Sequence, residues 1–209
     1  MITTTSNISQ NISVLTIPDA MIYEWLDGQG LGYKGYEEVL EGKKKLEDIM
    51  GSSAIQVVII SAILRFLYKN LPEDQYEIVT NEAGIHIDNK NNLAMDIAIY
   101  QVEILKAAEI GDKYLDVVPT VVIEVDTKAD TEDFESAINY YHSKTEKLLN
   151  FGVEKVIWIT SSTEKVMVAL PDADWTTSNW NKEIEVLDGI RFSVGKLLND
   201  RKIIVNKED

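Results

Sequence analysis

The chain has 209 residues and a mass of 23.6 kDa, the size of one domain, and 45% of its residues are hydrophobic, enough for a substantial core. The absence of cysteine from the sequence excludes disulfides, thiolate zinc sites and a cysteine nucleophile. A formal net charge of -15 creates a negative field that opposes non-specific attraction to phosphate backbones, which argues against a general nucleic-acid coat protein.

No apolar run in the sequence approaches the roughly 20 residues that a membrane span needs. The first ten residues, MITTTSNISQ, lack the basic and apolar regions of a secretory signal. We therefore expect a cytoplasmic protein that does not cross a membrane. Because no linker or internal repeat divides the sequence, we expect a single domain over residues 1–209, with residues 1–35 as an N-terminal extension.

The first predicted element is a short helix, AMIYEWL, which Pro18 and Asp19 open and Gly28 ends. The segment GYEEVLEGKKKLED has no firm assignment. A stronger helix begins after Ser53 and ends before Pro72, since apolar residues recur at helical spacing between these points. Ser53 and Gln56 have the S-x-x-Q pattern of a capping box at its start.

Strands follow this helix. The segments YEIVTNE, GIHID and LAMDIAIY are short strands, and the nearly continuous apolar character of TVVIEVD predicts a strand that is buried on both faces. The next element is a long helix from Asp130 to Phe151. Its apolar side consists of Phe134, Ile138, Tyr141 and Leu148. After it come the strands VEKVIWIT, KVMVALP, EIEVL and IRFSV and a final helix, VGKLLND. This order predicts an α/β fold with a mixed central sheet flanked by helices.

Asp96 is anomalous because it lies in the middle of the apolar strand LAMDIAIY. An ionised aspartate that is buried costs several kcal/mol unless a cation or hydrogen bonds compensate it. Strict alternation places Asp96 on one face with Ala94, Ala98 and Tyr100, and places Leu93, Met95, Ile97 and Ile99 on the other. The small alanines would leave room for a metal or ligand. Alternatively, Asp96 faces water at the edge of the sheet.

Two more carboxylates follow in TVVIEVDTK. Glu124 and Asp126 share a strand face in strict alternation, and Lys128 continues the row if the strand persists. Oxygen ligands two residues apart at the end of a buried strand suit a divalent cation such as Mg²⁺. Alternatively, the strand ends at Val125 and Asp126 begins the loop.

Lys144 lies on the long helix, at the border of its apolar side. A lysine at such a border can lay its methylene stem on apolar surface and direct its ammonium toward the sheet. Lys147 points further toward solvent. For any single helical lysine, a solvated position is the competing interpretation.

The Asp in LAMDIAIY, the Glu in VVIEV and a helical lysine before FGVEKVIWI together resemble the Uma-type restriction-endonuclease-like proteins, a bacterial family within the PD-(D/E)XK nuclease superfamily. The resemblance runs from about Tyr36 to Leu198, and YEEVLEGKKKLEDIMGSSAIQ is similar to the family's N-terminal strands followed by its first core helix. It implies a restriction-endonuclease-like core that hydrolyses nucleic-acid phosphodiester bonds with Mg²⁺ or Mn²⁺. Asp96 and Glu124 would bind the metal, with Asp126 as a further ligand. The catalytic lysine would be Lys144 or Lys128, and we favour Lys144.

Two positions depart from the family pattern, and a third has a second explanation. Met95 stands in place of the signature proline, and Asp126 stands in place of the signature lysine, which is why that role is divided between two residues. Gln56 matches a helix position that can carry a polar site residue, although the capping box accounts for it without catalysis.

The function that the resemblance favours is a metal-dependent endonuclease acting on DNA, a hydrolase, for which dimerisation would fit the cutting of two strands. The alternative is a catalytically inactive binding or regulatory module on a nuclease fold, because a fold does not determine function. A net charge of -15, which repels the phosphates of DNA, favours this alternative. A purely structural protein with solvated acids is a third interpretation, and it predicts that Mg²⁺ leaves the melting temperature unchanged.

Overall fold

The computed structural model of the chain describes residues 16–134 and 136–204. The strands in this part of the chain are β1 (Ile22–Leu26), β2 (Gln29–Gly32), β3 (Tyr76–Asp88), β4 (Asn91–Gln101), β5 (Val121–Val125), β6 (Lys155–Thr160), β7 (Lys165–Ala169), β8 (Thr176–Asn179), β9 (Ile184–Leu187) and β10 (Ile190–Phe192). The α-helices are α1 (Tyr36–Leu40), α2 (Leu46–Met50), α3 (Ala54–Asn70), α4 (Val102–Ala107), α5 (Ala137–Phe151) and α6 (Val194–Asn199). Short 3-10 helices span Asp19–Met21 and Glu132–Phe134.

Eight strands of the described residues form one mixed sheet, in the order β2-β1-β4-β5-β6-β7-β8, with β3 paired to β4. The β5–β6 pair is parallel, and α5 makes the crossover that a parallel connection requires. The other pairs of this sheet are antiparallel. The prediction of an α/β fold with a mixed central sheet flanked by helices is confirmed.

Strand β4 has an edge that two neighbours share. β3 pairs with β4 along the length of β4 and occupies one edge. On the other edge, β1 pairs with β4 at Asn92, whereas β5 pairs with it at Ile97, Ala98 and Ile99. Between Asn92 and Ile97 this edge of β4 pairs with neither β1 nor β5. The backbone N–H and C=O groups that face this gap therefore need hydrogen-bond partners other than a strand.

Helix α3 covers one face of the sheet. Ser53 caps it, because the Ser53 Oγ accepts a hydrogen bond from the Gln56 backbone N at 3.2 Å. Its buried Ile59 and Ile63 belong to the same core cluster as Ile123 of β5 and Ile157 of β6. The predicted helix between Ser53 and Pro72 is confirmed.

Helix α5 covers the other face. Its buried side chains include Tyr140, Lys144 and Leu148, spaced four residues apart, and the core on this face contains Val122 of β5 and Trp158 of β6. The predicted apolar side is correct for Leu148, which is buried, and for Phe134 and Tyr141, which pack against this core. It is wrong for Ile138, which is 42% exposed, and the lysine that was expected at the border lies at the centre of the buried face. The cause is that Tyr140 and Lys144 find polar partners under the sheet, so the buried face is not wholly apolar.

The predicted helix AMIYEWL is wrong. Its later residues form β1, in which Glu24 and Leu26 are buried while Trp25 is exposed, the period of a strand. Asp27 and Gly28 both have positive φ and form the two-residue turn to β2, so the Asp-Gly pair is a hairpin signal rather than a helix end.

Other predicted elements differ in detail. The segments YEIVTNE and GIHID form one strand, β3, with a register shift between Thr80 and Ala83. Instead of the strands expected before the first core helix, two short helices, α1 and α2, precede α3. Because β1 and β2 belong to the main sheet, part of the segment 1–35 contributes to the folded core; the division into one domain with an extension stays a prediction.

No helix in residues 16–134 and 136–204 is long and apolar enough to cross a membrane.

Candidate active site

Four charged side chains from four elements meet where the edge of β4 passes from β1 to β5. They are Glu24 of β1, Asp96 of β4, Glu124 of β5 and Lys144 of α5, and all are buried, with exposures between 1% and 5%. Lys144 contacts Glu24 and Glu124 directly, whereas Asp96 lies close enough to interact electrostatically with Lys144 and Glu124. Three of the four were candidate site residues from the sequence. The tertiary structure brings them together with a fourth.

Lys144 lies at the centre of the cluster. Its Nζ lies 3.0 Å from Glu24 Oε2 and 3.1 Å from Glu124 Oε1, and it donates a hydrogen bond of 2.7 Å to the Ala94 carbonyl. Aromatic rings lie 5.8 to 5.9 Å from the same atom, namely Tyr23, Tyr140 and Trp158. The ammonium therefore has an oxygen acceptor for each of its three protons. The solvated interpretation of this lysine is wrong.

Glu24 was missed by the sequence analysis. Its Oε1 accepts a 2.6 Å hydrogen bond from the Tyr140 hydroxyl, and its Oε2 accepts one of 3.2 Å from the Ala94 N. Glu24 and Lys144 together satisfy the N–H and the C=O of Ala94, in the stretch of β4 that lacks a strand partner on this edge. The signal that could have identified Glu24 was an acid in an apolar run next to the Asp-Gly turn.

Asp96 bridges β4 and β5. Its Oδ2 accepts a 2.7 Å hydrogen bond from the Val125 N, and Gln56 Nε2 lies 3.5 Å from each of its oxygens. The alternative in which Asp96 faces water is therefore wrong. Gln56 is part of the surroundings of Asp96: only its backbone N–H serves the cap at Ser53, while its side chain points to the carboxylate.

The predicted alternation along β4 is also wrong. Leu93 and Met95 pack in the core on the α5 face, as do Ala98 and Tyr100, whereas Ile97 and Ile99 pack on the α3 face. The alternation thus shifts by one residue at Asp96, which lies opposite the register shift of β3. The irregularity of the two strands is what lets Asp96 reach both the β5 backbone and a helix.

Burial and mutual repulsion govern the protonation of the cluster. Burial raises the pKa of Glu124 to about 8, although Lys144 lowers it, and the neighbouring carboxylates Asp96 and Glu24 raise it further. Burial also raises the pKa of Asp96, against the opposing effects of the Val125 N–H and Lys144. Burial alone would lower the pKa of Lys144, but Glu124 and Glu24 outweigh it and raise that pKa. The lysine is therefore charged, and the neighbouring carboxylates repel one another while each is attracted to its ammonium.

Asp126 is not part of this cluster. It follows the end of β5 with a φ of 56°, so the expected strand face shared with Glu124 is wrong and Asp126 begins the loop. Its Oδ1 accepts a hydrogen bond from the Ser161 N at 2.8 Å and its Oδ2 one from the Ser161 Oγ at 2.7 Å. Its role as a metal ligand stays a prediction.

Lys128 also has partners outside the cluster. It forms an ion pair with Glu82 of β3 and donates a 3.4 Å hydrogen bond to the Met50 carbonyl. Burial lowers its pKa. The structure thus brings Lys144, rather than Lys128, against Glu124, and the catalytic role of either lysine stays a prediction.

The donor set fits a hard divalent cation in part. Asp96 and Glu124 supply carboxylate oxygens, the ligands that Mg²⁺ prefers. Apart from its ion pair with Lys144, the buried Oε1 of Glu124 has no hydrogen-bond partner in the described part of the chain. Within residues 16–134 and 136–204 no group of three or more His, Cys, Asp or Glu side chains is arranged to hold a metal, and a metal bound by Asp96 and Glu124 stays a prediction.

No protein-family model matches the chain, and no curated protein matches it. Among solved structures, it is similar to a protein from Anabaena variabilis ATCC 29413 that is described as "a putative nuclease belonging to DUF820". The TM-score is 0.59 at 14% sequence identity, and the match covers 84% of this chain and 89% of that one. At this identity the likeness shows the fold, and it supports the predicted fold class.

Proposed function

We propose that the chain is a nuclease of the Uma-type family that hydrolyses DNA phosphodiester bonds with Mg²⁺ or Mn²⁺, held by Asp96 and Glu124. The observation that carries the proposal is the charge of the buried cluster. With all three carboxylates ionised, which for Glu124 requires a pH above about 8 when no cation is bound, the four buried side chains carry a net charge of -2. Charges of one sign in a low-dielectric interior are unfavourable unless a counter-ion or protons neutralise them.

A divalent cation has the charge that would neutralise this cluster. When bound, Mg²⁺ supplies Lewis acidity toward the phosphate and the attacking water. Asp96 lines a surface groove and is the member of the cluster that connects it with solvent and substrate. The Val125 N–H and Gln56 fix its carboxylate, so it is oriented before a ligand arrives.

Lys144 fixes Glu124 and carries the positive charge of the cluster. Since its three protons are already matched by Glu24, Glu124 and Ala94, we propose that it acts first by holding Glu124 in place. Its charge also offsets negative charge that develops on the phosphate during hydrolysis. Glu24 and the Tyr140 hydroxyl support the lysine from the other side.

The test is calorimetric titration of Mg²⁺ and Mn²⁺ into the wild type and into Glu124→Gln and Asp96→Ala, with cleavage of plasmid and single-stranded DNA assayed on the same samples. We expect metal binding and metal-dependent cleavage in the wild type, and loss of both in the two variants with folding retained. Glu103→Gln is the matched control, since it removes an acid that pairs with Lys106 on the surface, outside both the cluster and the groove.

The possible results of these assays lead to different conclusions. Metal binding without cleavage of any DNA would favour the alternative, an inactive binding or regulatory module. Cleavage that survives Asp96→Ala would contradict the assignment of the site. Lys128→Met tests the lysine: retained cleavage supports Lys144, whereas loss of cleavage in a folded Lys128→Met protein would transfer the role to Lys128. Dimerisation stays a prediction, which the oligomeric state during cleavage would test.

A further inference from the structure

A groove of about 400 Å³ lies next to the cluster and has Asp96 among its lining residues. One wall is the outer face of α3, with Val57, Leu64 and Tyr68, and the other is residues 80–82 of β3. We call this cavity the α3 groove. Its volume is in the range of small-molecule sites. It gives the buried cluster a path to the surface.

The irregularity of β3 shapes the second wall. Asn81 and Glu82 both have positive φ, and neither has a partner in the β4 register. The Thr80 Oγ1 donates a 2.8 Å hydrogen bond to the Asp96 carbonyl, which ties this wall to the candidate active site. The groove and the cluster are therefore continuous at Asp96.

The lining of the groove is mostly apolar and includes an exposed aromatic ring. Tyr68 is 61% exposed and Val57 is 52% exposed, although both stand on the helix that forms one side of the core. The Tyr68 hydroxyl lies 3.4 Å from the Ile78 carbonyl, which limits the ring to one region of the wall. An exposed ring over apolar side chains is the kind of surface on which a nucleobase stacks.

The groove has one guanidinium, from Arg65. Arg65 has no ion pair within the described residues. Many lysines on the surface are neutralised by nearby acids instead, among them Lys43, Lys44, Lys45, Lys106, Lys147 and Lys196. The two acids that also line the groove have other partners, Glu82 with Lys128 and Asp96 with the Val125 N. A guanidinium without a carboxylate partner beside an apolar wall matches a nucleotide, which has one phosphate and one base.

From these contacts we infer that the α3 groove binds unpaired nucleotides of a single DNA strand, with a base on Tyr68 and a phosphate near Arg65. The inference rests on the proposed function and names the form of its substrate. A net charge of -15 gives a duplex little electrostatic attraction, so affinity must come from contact with bases. The faces of duplex bases are occupied by their neighbours in the stack, whereas those of a single strand are accessible.

The experiment is fluorescence anisotropy with a dye-labelled oligothymidylate and with a labelled duplex of the same length, in Mg²⁺ at 4 °C, with strand integrity checked on gels. We expect the single strand to bind more tightly than the duplex. Tyr68→Ala should weaken single-strand binding about 5- to 150-fold, the range for loss of one stacked base, whereas Tyr68→Phe keeps the ring and should bind within about 2-fold of the wild type. Arg65→Gln should reduce the slope of log K against log salt by about 0.7, the value for one phosphate contact on a single strand.

Tyr114→Ala is the matched control, because Tyr114 is 58% exposed and lies outside the groove. Equal affinity in Tyr68→Ala and the wild type, tighter binding of the duplex, or no binding of either probe would overturn the inference. Metal-dependent cleavage together with any of these results would leave the proposed function standing. Loss of single-strand binding in Tyr68→Ala without cleavage by the wild type would support the groove and contradict the nuclease.

Discussion

Replacing Lys144 with methionine tests whether the cluster depends on a buried ion. Methionine keeps most of the length and volume of the side chain but removes the charge, so the two glutamates at 3.0 and 3.1 Å and the Ala94 carbonyl lose their donor. Removal of one partner from a buried ion pair costs about 3–5 kcal/mol, because the remaining charge stays buried without compensation. For a chain of this length, 1 kcal/mol corresponds to about 2–4 °C in melting temperature, so the melting temperature should fall by about 6–20 °C.

The assays are thermal unfolding, which gives the melting temperature, and urea unfolding, which gives the free energy, both at pH 8 in metal-free buffer with Lys147→Met as the matched control. Lys147 lies on the same helix and pairs with Asp27, whose side chain is 59% exposed. Loss of this surface ion pair should lower the free energy of unfolding by less than about 1 kcal/mol. Adding Glu124→Gln to Lys144→Met should recover part of the stability, since it removes one of the two unpaired acids. If Lys144→Met costs no more than Lys147→Met, the argument from buried charge is refuted.

Two further predictions concern pH and helix capping. The pKa of Glu124 is about 8 in the folded chain, above its ordinary value of 4.5, so its contribution to stability is complete below about pH 4.5 and is lost as the pH rises through 8. The melting temperature of metal-free protein should therefore decline over this interval, and a decline of the same size in Glu124→Gln would contradict the assignment. Ser53→Ala should lower the free energy of unfolding by about 0.5–2 kcal/mol because the cap of α3 is lost. Ser52→Ala, measured in parallel by urea unfolding, should leave the free energy of unfolding nearly unchanged. An equal decrease in both variants would show that the Ser53 cap does not stabilise α3.

Much of the fold was predictable because its signals are local. The apolar period of α3, the uninterrupted apolar run of β5 and the glycine that ends α5 each depend on residues close in sequence. The same local patterns made Asp96 and Glu124 conspicuous, since an acid inside a buried strand is unfavourable wherever that strand lies. These features were correct without any knowledge of which strands are neighbours.

The local patterns failed where a long-range contact decides the outcome. Asp126 and Lys128 continue the strand row in sequence, but the chain turns at a positive φ after Val125, and they bind Ser161 and Glu82 instead. Similarly, the helical spacing placed Lys144 only at the border of the apolar side, because its burial depends on Glu24 and Glu124, which lie on distant strands.

The sequence by itself determined the helices α3 and α5, the buried strands β4, β5 and β6, and two of the acids; the tertiary structure decided which charges share one site. Glu24 lies 100 positions before Glu124 in the chain, and β1 brings it beside Lys144 only because β1 and β5 share one edge of β4. The period of a helix or strand is set by nearest neighbours, whereas the pairing of strand edges depends on hydrogen bonds between residues far apart in the chain. A charge cluster formed by four elements is therefore a property of the assembled sheet.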